Sequence, residues 1–369
     1  MVETTWKISL DPRLGEQLSE QLKRQITWLI ASGEIKPGET LPSVRKHAKQ
    51  LGINMHTVRS AYLQLEANGL VRTRPGSGTR VLTLDPGRMM QLAGKTRTYT
   101  IGVILPNLAN PFYHTFLKGV EEVINSEQLL LFVCDAQESP EKYLRYFAQL
   151  AAKNVDGMIV ASYDILEILV QKSNISLPIV TVDWPGCTGP VVNFDLENAG
   201  YQAVQHLINH GHHRIGLITF AGGRANVIPV IKGYTRALQE DGIAMDESLV
   251  ARVPGFNMAE GELGVQQLLA LGVPPTAIFT IADTLALGAL KALKANGRQV
   301  PEDIALASVD DIAVAELVIP ALTTVSLPSR QLGLEAMLML QNLIDGKKLP
   351  VEQMILSTEL VVRQSCGCR

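Results

Sequence analysis

The sequence predicts a mixed α/β chain: a small N-terminal module of three helices and a β-hairpin, then a two-lobed body of parallel sheets covered by helices. Three observations predict it. Apolar residues at helical spacing, two short capped helices and a glycine-rich turn fill residues 1–82. From Tyr99 onward, strand-like apolar runs alternate with helical stretches, the pattern of parallel sheets. Charge divides at the same place: residues 1–80 hold 12 Lys and Arg against 7 Asp and Glu, and the remainder holds 21 against 29. A basic head on an acidic body confines contact with a polyanion to the head.

Leu14, Leu18, Leu22, Ile26 and Leu29 recur every three or four residues, so one amphipathic helix covers roughly 14–32. Gly33 and Pro37-Gly38 end it and turn the chain. Ser43 caps a second helix to about Leu51, Gly52 makes a tight turn, and Asn54 caps a third helix to about Asn68. Strands Leu70–Arg74 and Thr79–Leu82 flank Pro75-Gly76-Ser77-Gly78, which reads as a hairpin wing. Helix, turn, helix is the device that lays a helix in the DNA major groove with its N-terminal residues at base edges. Asn54, His56 and Thr57 lie at that N-terminus, and Arg45 and Arg59 can reach phosphate or guanine. Gly76 and Gly78 let the wing backbone approach a phosphate closely.

The stretch from Ala31 to Val81, "ASGEIKPGETLPSVRKHAKQLGINMHTVRSAYLQLEANGLVRTRPGSGTRV", resembles the gluconate-repressor (GntR) family of winged helix-turn-helix regulators. The resemblance implies that Arg45, Asn54, His56, Thr57, Arg59 and the wing glycines Gly76 and Gly78 meet DNA. Met55 and His56 depart from the residues many relatives carry there, which implies a different base sequence.

Thr83 to Thr98 lacks any period and reads as a linker. Beyond it, strands are expected at Thr100–Leu105, Leu129–Asp135, Gly157–Val160, Ile179–Asp183, Ile215–Thr219, Ala277–Ile281 and Ile304–Asp310. Helices are expected at Tyr113–Asn125, Glu141–Lys153, Leu196–Asn209, Gly233–Glu240, Gly261–Leu271 and Leu285–Ala295. Ligands bind outside the carboxyl ends of such strands. The candidates there are Asn107, Asn110, Phe112, Tyr113, Asp183, Asp310 and Asp311. No Gly-rich phosphate loop follows a strand, which argues against a nucleotide enzyme.

"YTIGVILPNLANPFYHTFLKGVEE", "DGMIV", "HLINHGHHRIGLI", "KGYTRAL", "FTIADTLALGALKAL", "VPEDIALASVDD", "PALTTV" and "LVVRQSC" follow one another from Tyr99 to Cys366. Together they resemble the sensor body of the lactose/galactose-repressor (LacI/GalR) family, a type I periplasmic-binding-protein-like fold. A GntR-type head on this body is the arrangement of arabinose-repressor-like regulators. The resemblance implies a winged helix-turn-helix at 1–82, a linker at 83–98 and a two-lobed ligand-sensing body at 99–369. Its first lobe takes about 99–184 and 326–355, and its second about 185–325 and 356–366. It also implies a homodimer on double-stranded operator DNA, released or recruited by a small-molecule effector.

By the same resemblance, Phe112, Tyr113, Arg224, Phe256 and Asp310 hold the effector between the lobes. Asp283 borders that cleft and reads first as a helix cap. Val230 stands where sugar-binding relatives usually place an Arg, so the bidentate grip on adjacent hydroxyls is missing there. Arg224 matches an Arg of purine-sensing relatives, and Leu327 replaces a frequent polar residue. The expected effector is a small polar metabolite, a carbohydrate first and a purine or nucleoside as the alternative.

Other features are absorbed more simply. His206 and His210 sit four residues apart on one helix, a spacing able to hold a metal, but the "GHHRI" string is what the family shows at a plain helix–turn–strand. Cys366-Gly367-Cys368 is too close-set for a Cys-x-x-Cys pair and reads as a tail. No metal, cofactor or catalytic residue is therefore expected. Four scattered cysteines, no apolar run of membrane-spanning length and no signal-peptide pattern lead to a cytoplasmic expectation. A free solute-binding protein would need a signal peptide and no head. A pyridoxal-phosphate enzyme would need a Schiff-base lysine, and Lys291 and Lys294 sit in an ordinary helix.

Overall fold

A computed structural model describes residues 6, 8, 10, 17–31, 34–74, 78–82, 98–127, 129–161 and 177–368. Gly76 and all but the last residue of the expected linker lie outside them. In the head, α1 (Leu18–Ala31), α2 (Val44–Leu51) and α3 (Met55–Ala67) pack with a three-stranded antiparallel sheet. Its strands are β1 (Thr40–Leu41), β2 (Val71–Arg74) and β3 (Gly78–Val81), in the order β1-β3-β2.

The expected caps form. Ser43 Oγ accepts from Lys46 N–H at 3.3 Å, and Asn54 Oδ1 accepts from His56 N–H at 2.8 Å. Gly52, at φ +65°, supplies the left-handed turn between α2 and α3. Leu22, Ile26 and Leu29 of α1 are buried in one cluster with Val58, Ala61 and Leu65 of α3. Beside that cluster lies a buried polar relay. His47 Nδ1 is 2.7 Å from the Tyr62 hydroxyl, which donates to the Pro42 carbonyl at 2.9 Å. Burial lowers the His47 pKa, so the ring is neutral and ties α2 to α3 through a hydrogen bond.

The body holds two six-stranded sheets. The first contains β4 (Thr100–Leu105), β5 (Leu130–Asp135), β6 (Gly157–Ala161), β7 (Ile179–Val182), β8 (Val191–Phe194) and β14 (Gln353–Leu356). They lie in the order β14-β8-β7-β6-β4-β5, all parallel. Helices α4 (Pro111–Ser126) and α5 (Pro140–Ala152) follow β4 and β5. The second sheet contains β9 (Ile215–Phe220), β10 (Val250–Val253), β11 (Ala277–Thr280), β12 (Ala305–Asp310), β13 (Thr323–Ser326) and β15 (Glu359–Val361). Their order is β10-β9-β11-β12-β13-β15, parallel except for the β13–β15 pair. Helices α6 (Leu196–Asn209), α7 (Val227–Glu240), α8 (Met258–Leu269) and α9 (Asp283–Ala295) belong to it, while α10 (Ser329–Ile344) packs on α4 and on β6–β8.

Among the described residues the chain therefore crosses between sheets three times: after Phe194, after Ser326 and between Leu356 and Glu359. The first crossing differs from the expected boundary at 184/185. Val191–Phe194 extends the first sheet by pairing with β7 and β14, so the chain leaves that lobe about ten residues later. Four-residue strands such as β8, β10 and β13, and the helix α10, were not singled out by sequence alternation.

Helices α6 and α7 touch backbone to backbone. A Cβ on Gly233 would sit 2.1 Å from the Glu197 carbonyl, and one on Gly200 would sit 2.2 Å from the Val230 carbonyl. These glycines set the position of α7, whose first turn borders the cleft described below. Gly233→Ala should lower unfolding free energy by roughly 2–3 kcal/mol through overpacking. Gly223→Ala, with nothing within 4 Å of the new methyl, should stay within about 0.5 kcal/mol of the parent. Equilibrium denaturation of the two variants checks the contrast.

Candidate functional sites

In the head, Arg45, Asn54, His56 and Arg59 are exposed and Thr57 is partly so. Asn54, His56, Thr57 and Arg59 lie at the cap and in the first two turns of α3, whose opposite face carries the buried Val58, Ala61 and Leu65, and Arg45 lies in the first turn of α2. Asn54 is already used as the cap, so its side chain orders the helix start. Gly78 has φ +78°, and a Cβ there would meet Thr40 at 3.0 Å. The glycine is thus needed for the β1–β3 approach whatever the wing touches. The hairpin shows three cations the sequence reading passed over. Arg72 pairs in register with Arg80, and Arg74 follows two residues after Arg72. By strand alternation the three exposed guanidinium groups share one face. The alternation "VRTR" was the available signal.

In the body, the carboxyl ends of strands from both sheets meet at a cleft of about 580 Å³. Phe112, Tyr113, Arg224, Phe256 and Asp310 all line it, as do Val230 and Leu327. Asn110 accepts from Phe112 N–H and Asn107 from Ala109 N–H, both at 3.0 Å, so their side chains order the loop before α4. Phe112 and Tyr113 are each only 6% exposed and stack edge to face at 5.2 Å. They form the apolar floor. Phe220 and Phe256 form a wall, nearly parallel at 5.1 Å, and the Arg224 guanidinium lies 4.6 Å and 5.2 Å from their ring centres.

Two polar pairs span the cleft. Arg224 Nη2 donates to Glu138 Oε2 at 2.5 Å, and Asn226 Nδ2 donates to Asp183 Oδ2 at 2.8 Å. Glu138 and Asp183 follow strands of the first sheet, whereas Arg224 and Asn226 lie between β9 and α7 of the second. Asp310 Oδ2 and Asn226 Oδ1 are buried and have no hydrogen-bond partner among the described residues. Asp183 and Asp310 both adopt positive φ, +52° and +125°, a strain that aims their side chains at the end of a strand.

The remaining acidic candidates point elsewhere. Asp283 is fully buried and outside the cleft lining. Its carboxylate accepts from Ser308 Oγ, from Thr324 Oγ1 at 2.7 Å and from Ile312 N–H at 2.9 Å, which ties β12 and β13 together. Asp311 accepts from Arg363 Nη2 at 2.7 Å.

Comparison with known proteins bears on both parts. The family profile described as bacterial regulatory proteins, gntR family, matches residues 18–81, and a periplasmic binding protein-like domain matches residues 204–366. The HTH-type transcriptional regulator DegA of Bacillus subtilis is 33% identical over 280 residues, covering 74% of this chain and 82% of DegA. The chain belongs to the LacI family of transcription regulators. Among solved structures, the transcriptional regulator CelR–cellobiose complex is 26% identical with a TM-score of 0.67, covering 88% of this chain and 100% of that one. A LacI family regulator from Enterococcus faecium with bound ribose is 28% identical with a TM-score of 0.65, covering 72% and 98%. This LacI-family member is therefore a ligand-responsive, DNA-binding transcription regulator with a GntR-type head. No helix among its described residues is long and apolar enough to cross a membrane.

The regulator's cleft gathers acid with little to neutralise it. Burial pushes the Asp183 carboxyl up to about 7, against the pull of the Asn226 hydrogen bond and the Arg224 charge. Burial, then the nearby Asp283 and Asp183 carboxylates, holds Asp310 well above the usual carboxylate range. Between the ordinary value and about 7, the unfolded chain has lost the Asp183 proton while the folded chain keeps it. Stability contributed by this group therefore falls as pH rises through that window and is level above it. Asp183→Asn removes the slope and leaves an acceptor for Asn226. The variant should gain stability over wild type by roughly 2–4 kcal/mol more at pH 8 than at pH 4. Denaturation midpoints at the two pH values test the sign.

Proposed function

We propose that the effector is a small carbohydrate held in the cleft, and that it controls how a homodimer of this chain grips a two-fold operator. The observation that carries the reading is the pair of buried, unpartnered oxygens, Asp310 Oδ2 and Asn226 Oδ1. A buried polar atom left without a partner costs roughly 1–3 kcal/mol, and ligand hydroxyls remove that cost. Phe220 and Phe256 offer the flat surface on which the apolar face of a sugar ring packs. A volume of about 580 Å³ accommodates a mono- or disaccharide. Solved neighbours with cellobiose and ribose support the same class. The buried Val230 supplies no guanidinium, so Arg224 takes that role once it exchanges Glu138 for the ligand. The parallel phenylalanine pair also suits a nucleobase, which makes a nucleoside the second reading.

On the DNA side, α3 enters the major groove with His56, Thr57 and Arg59 at the bases, while Arg45 and the wing at Gly76 and Gly78 meet phosphate. Arg72, Arg74 and Arg80 add phosphate contacts from the hairpin. The head spans 1–82, residues 83–98 link it to the body, and the body carries the dimer contact. The regulator acts as a repressor in the cytoplasm and performs no catalysis. Two pairs across the cleft, Glu138–Arg224 and Asp183–Asn226, are what a bound effector exchanges for its own contacts, and this differential affinity shifts the lobes.

Arg59→Ala should weaken operator binding by about 1–3 kcal/mol in gel-shift titration. Unchanged affinity would remove α3 from the groove. For the effector, a thermal-shift panel of sugars, nucleosides and nucleobases identifies the class. Asp310→Ala should then bind the hit at least tenfold more weakly, since it removes both side-chain oxygens from the cleft. Wild-type affinity in that variant, or hits among nucleosides alone, would overturn the carbohydrate reading.

A further inference from the structure

The second lobe brings together four side chains that the sequence keeps as two separate features. His206 lies in the last turn of α6 and His210 is its C-cap. Their rings are 4.4 Å apart. The C-terminal tail returns to the same place. Cys368 Sγ lies 3.2 Å from His206 Nε2 and 2.9 Å from His210 Nε2. Cys366 Sγ lies 3.0 Å from Cys368 Sγ. Gly367, at φ +86°, makes the turn that puts both sulfurs on one side. The ligand atoms of His206, His210 and Cys368 all fall within 4.8 Å of one another.

We propose that His206, His210, Cys366 and Cys368 form a binding site for a zinc ion that fastens the C-terminal tail to α6. Two imidazole nitrogens and two thiolates are the donor set of a closed, tetrahedral structural zinc site. Oxygen-seeking cations such as calcium and magnesium find no carboxylate among these four donors. The surrounding contacts fit the same role. His210 Nδ1 is 2.7 Å from the His206 carbonyl, a contact that places the proton on Nδ1 and leaves Nε2 free to ligate. Thr323 Oγ1 donates to Cys366 Sγ at 3.1 Å, as a hydroxyl does to a metal-bound thiolate. Zn–S and Zn–N bonds of about 2.3 and 2.0 Å need the donor atoms spread to roughly 3.3–3.8 Å. The exposed His210 and the half-buried Cys368 can move by that amount without disturbing the core. The tail is otherwise anchored: Ser365 Oγ donates to the Leu306 carbonyl at 2.7 Å and accepts from Thr323 N–H at 2.8 Å. Cys366 is thus held in place, and the ion would close the last link between the tail and the helix.

The test uses the full chain, reduced and stripped with a chelator. Zinc chloride should bind at one ion per chain in competition with a chromophoric chelator, and should raise the thermal midpoint. Cobalt in its place should give the strong visible bands of a tetrahedral site and a sulfur-to-metal charge-transfer band. Cys368→Ser and His210→Ala should each weaken zinc at least tenfold and abolish the thermal gain, with operator binding kept as the check on folding. Three results would overturn the proposal: no stoichiometric zinc, cobalt spectra without a sulfur band, or wild-type affinity in both variants. A Cys366–Cys368 disulfide that persists under reducing conditions, seen as the loss of two hydrogens in intact mass, would overturn it as well.

Discussion

In both six-stranded sheets of the body the parallel strands end on the same side, and those ends face one cleft. Parallel pairing demands this: each strand must be followed by a crossover before the next can pair in the same direction. The turns at the carboxyl ends are then the places where polar side chains stand free of the ladder. Asp183 after β7, Arg224 and Asn226 after β9, Phe256 after β10 and Asp310 at the end of β12 are all such positions. The three crossings after Phe194, Ser326 and Leu356 bring these turns from two sheets to one space. Every feature of the candidate site follows from that constraint.

The electrostatics follow next. Two carboxyls buried in the cleft, Asp183 and Asp310, and a third buried behind it, Asp283, cannot all ionise, so all three hold protons beyond the usual range. Their environments still differ. Asp283 has three donors, and its job is to join β12, β13 and the loop at Ile312. Asp310 keeps an oxygen without a partner. The same residue type thus serves as structural tie in one place and as an unspent acceptor in the other, and only the second faces the cleft.

The head depends on a different balance. Its hydrophobic cluster is small, and the His47–Tyr62–Pro42 relay adds a directional constraint that apolar packing lacks. It holds α2 at a set distance from α3, and that is the relation on which a helix-turn-helix depends for placing its second helix. Burial favours the neutral form of His47, so the stability this buried ring contributes falls in acid, opposite in sign to the behaviour of the buried carboxyls.

Much of this protein was legible in its amino-acid order. Local rules decide caps, turns and amphipathic faces, so Ser43, Gly52 and Asn54 marked their helix boundaries correctly and the long apolar strands stood out. The resemblance carried the five cleft residues as a set, since the motifs around them run in order along the chain. Short strands gave too few residues for a period to show, which is why β8 was missed and the first lobe boundary fell early. What tertiary structure alone decided are the contacts between residues far apart in sequence. Glu138 meeting Arg224, Asp183 meeting Asn226, Asp283 turning from the cleft toward Thr324, and the tail cysteines reaching His206 and His210 all depend on how strands and helices stack. A side chain's partner across such distances is set by packing, and no local pattern encodes it.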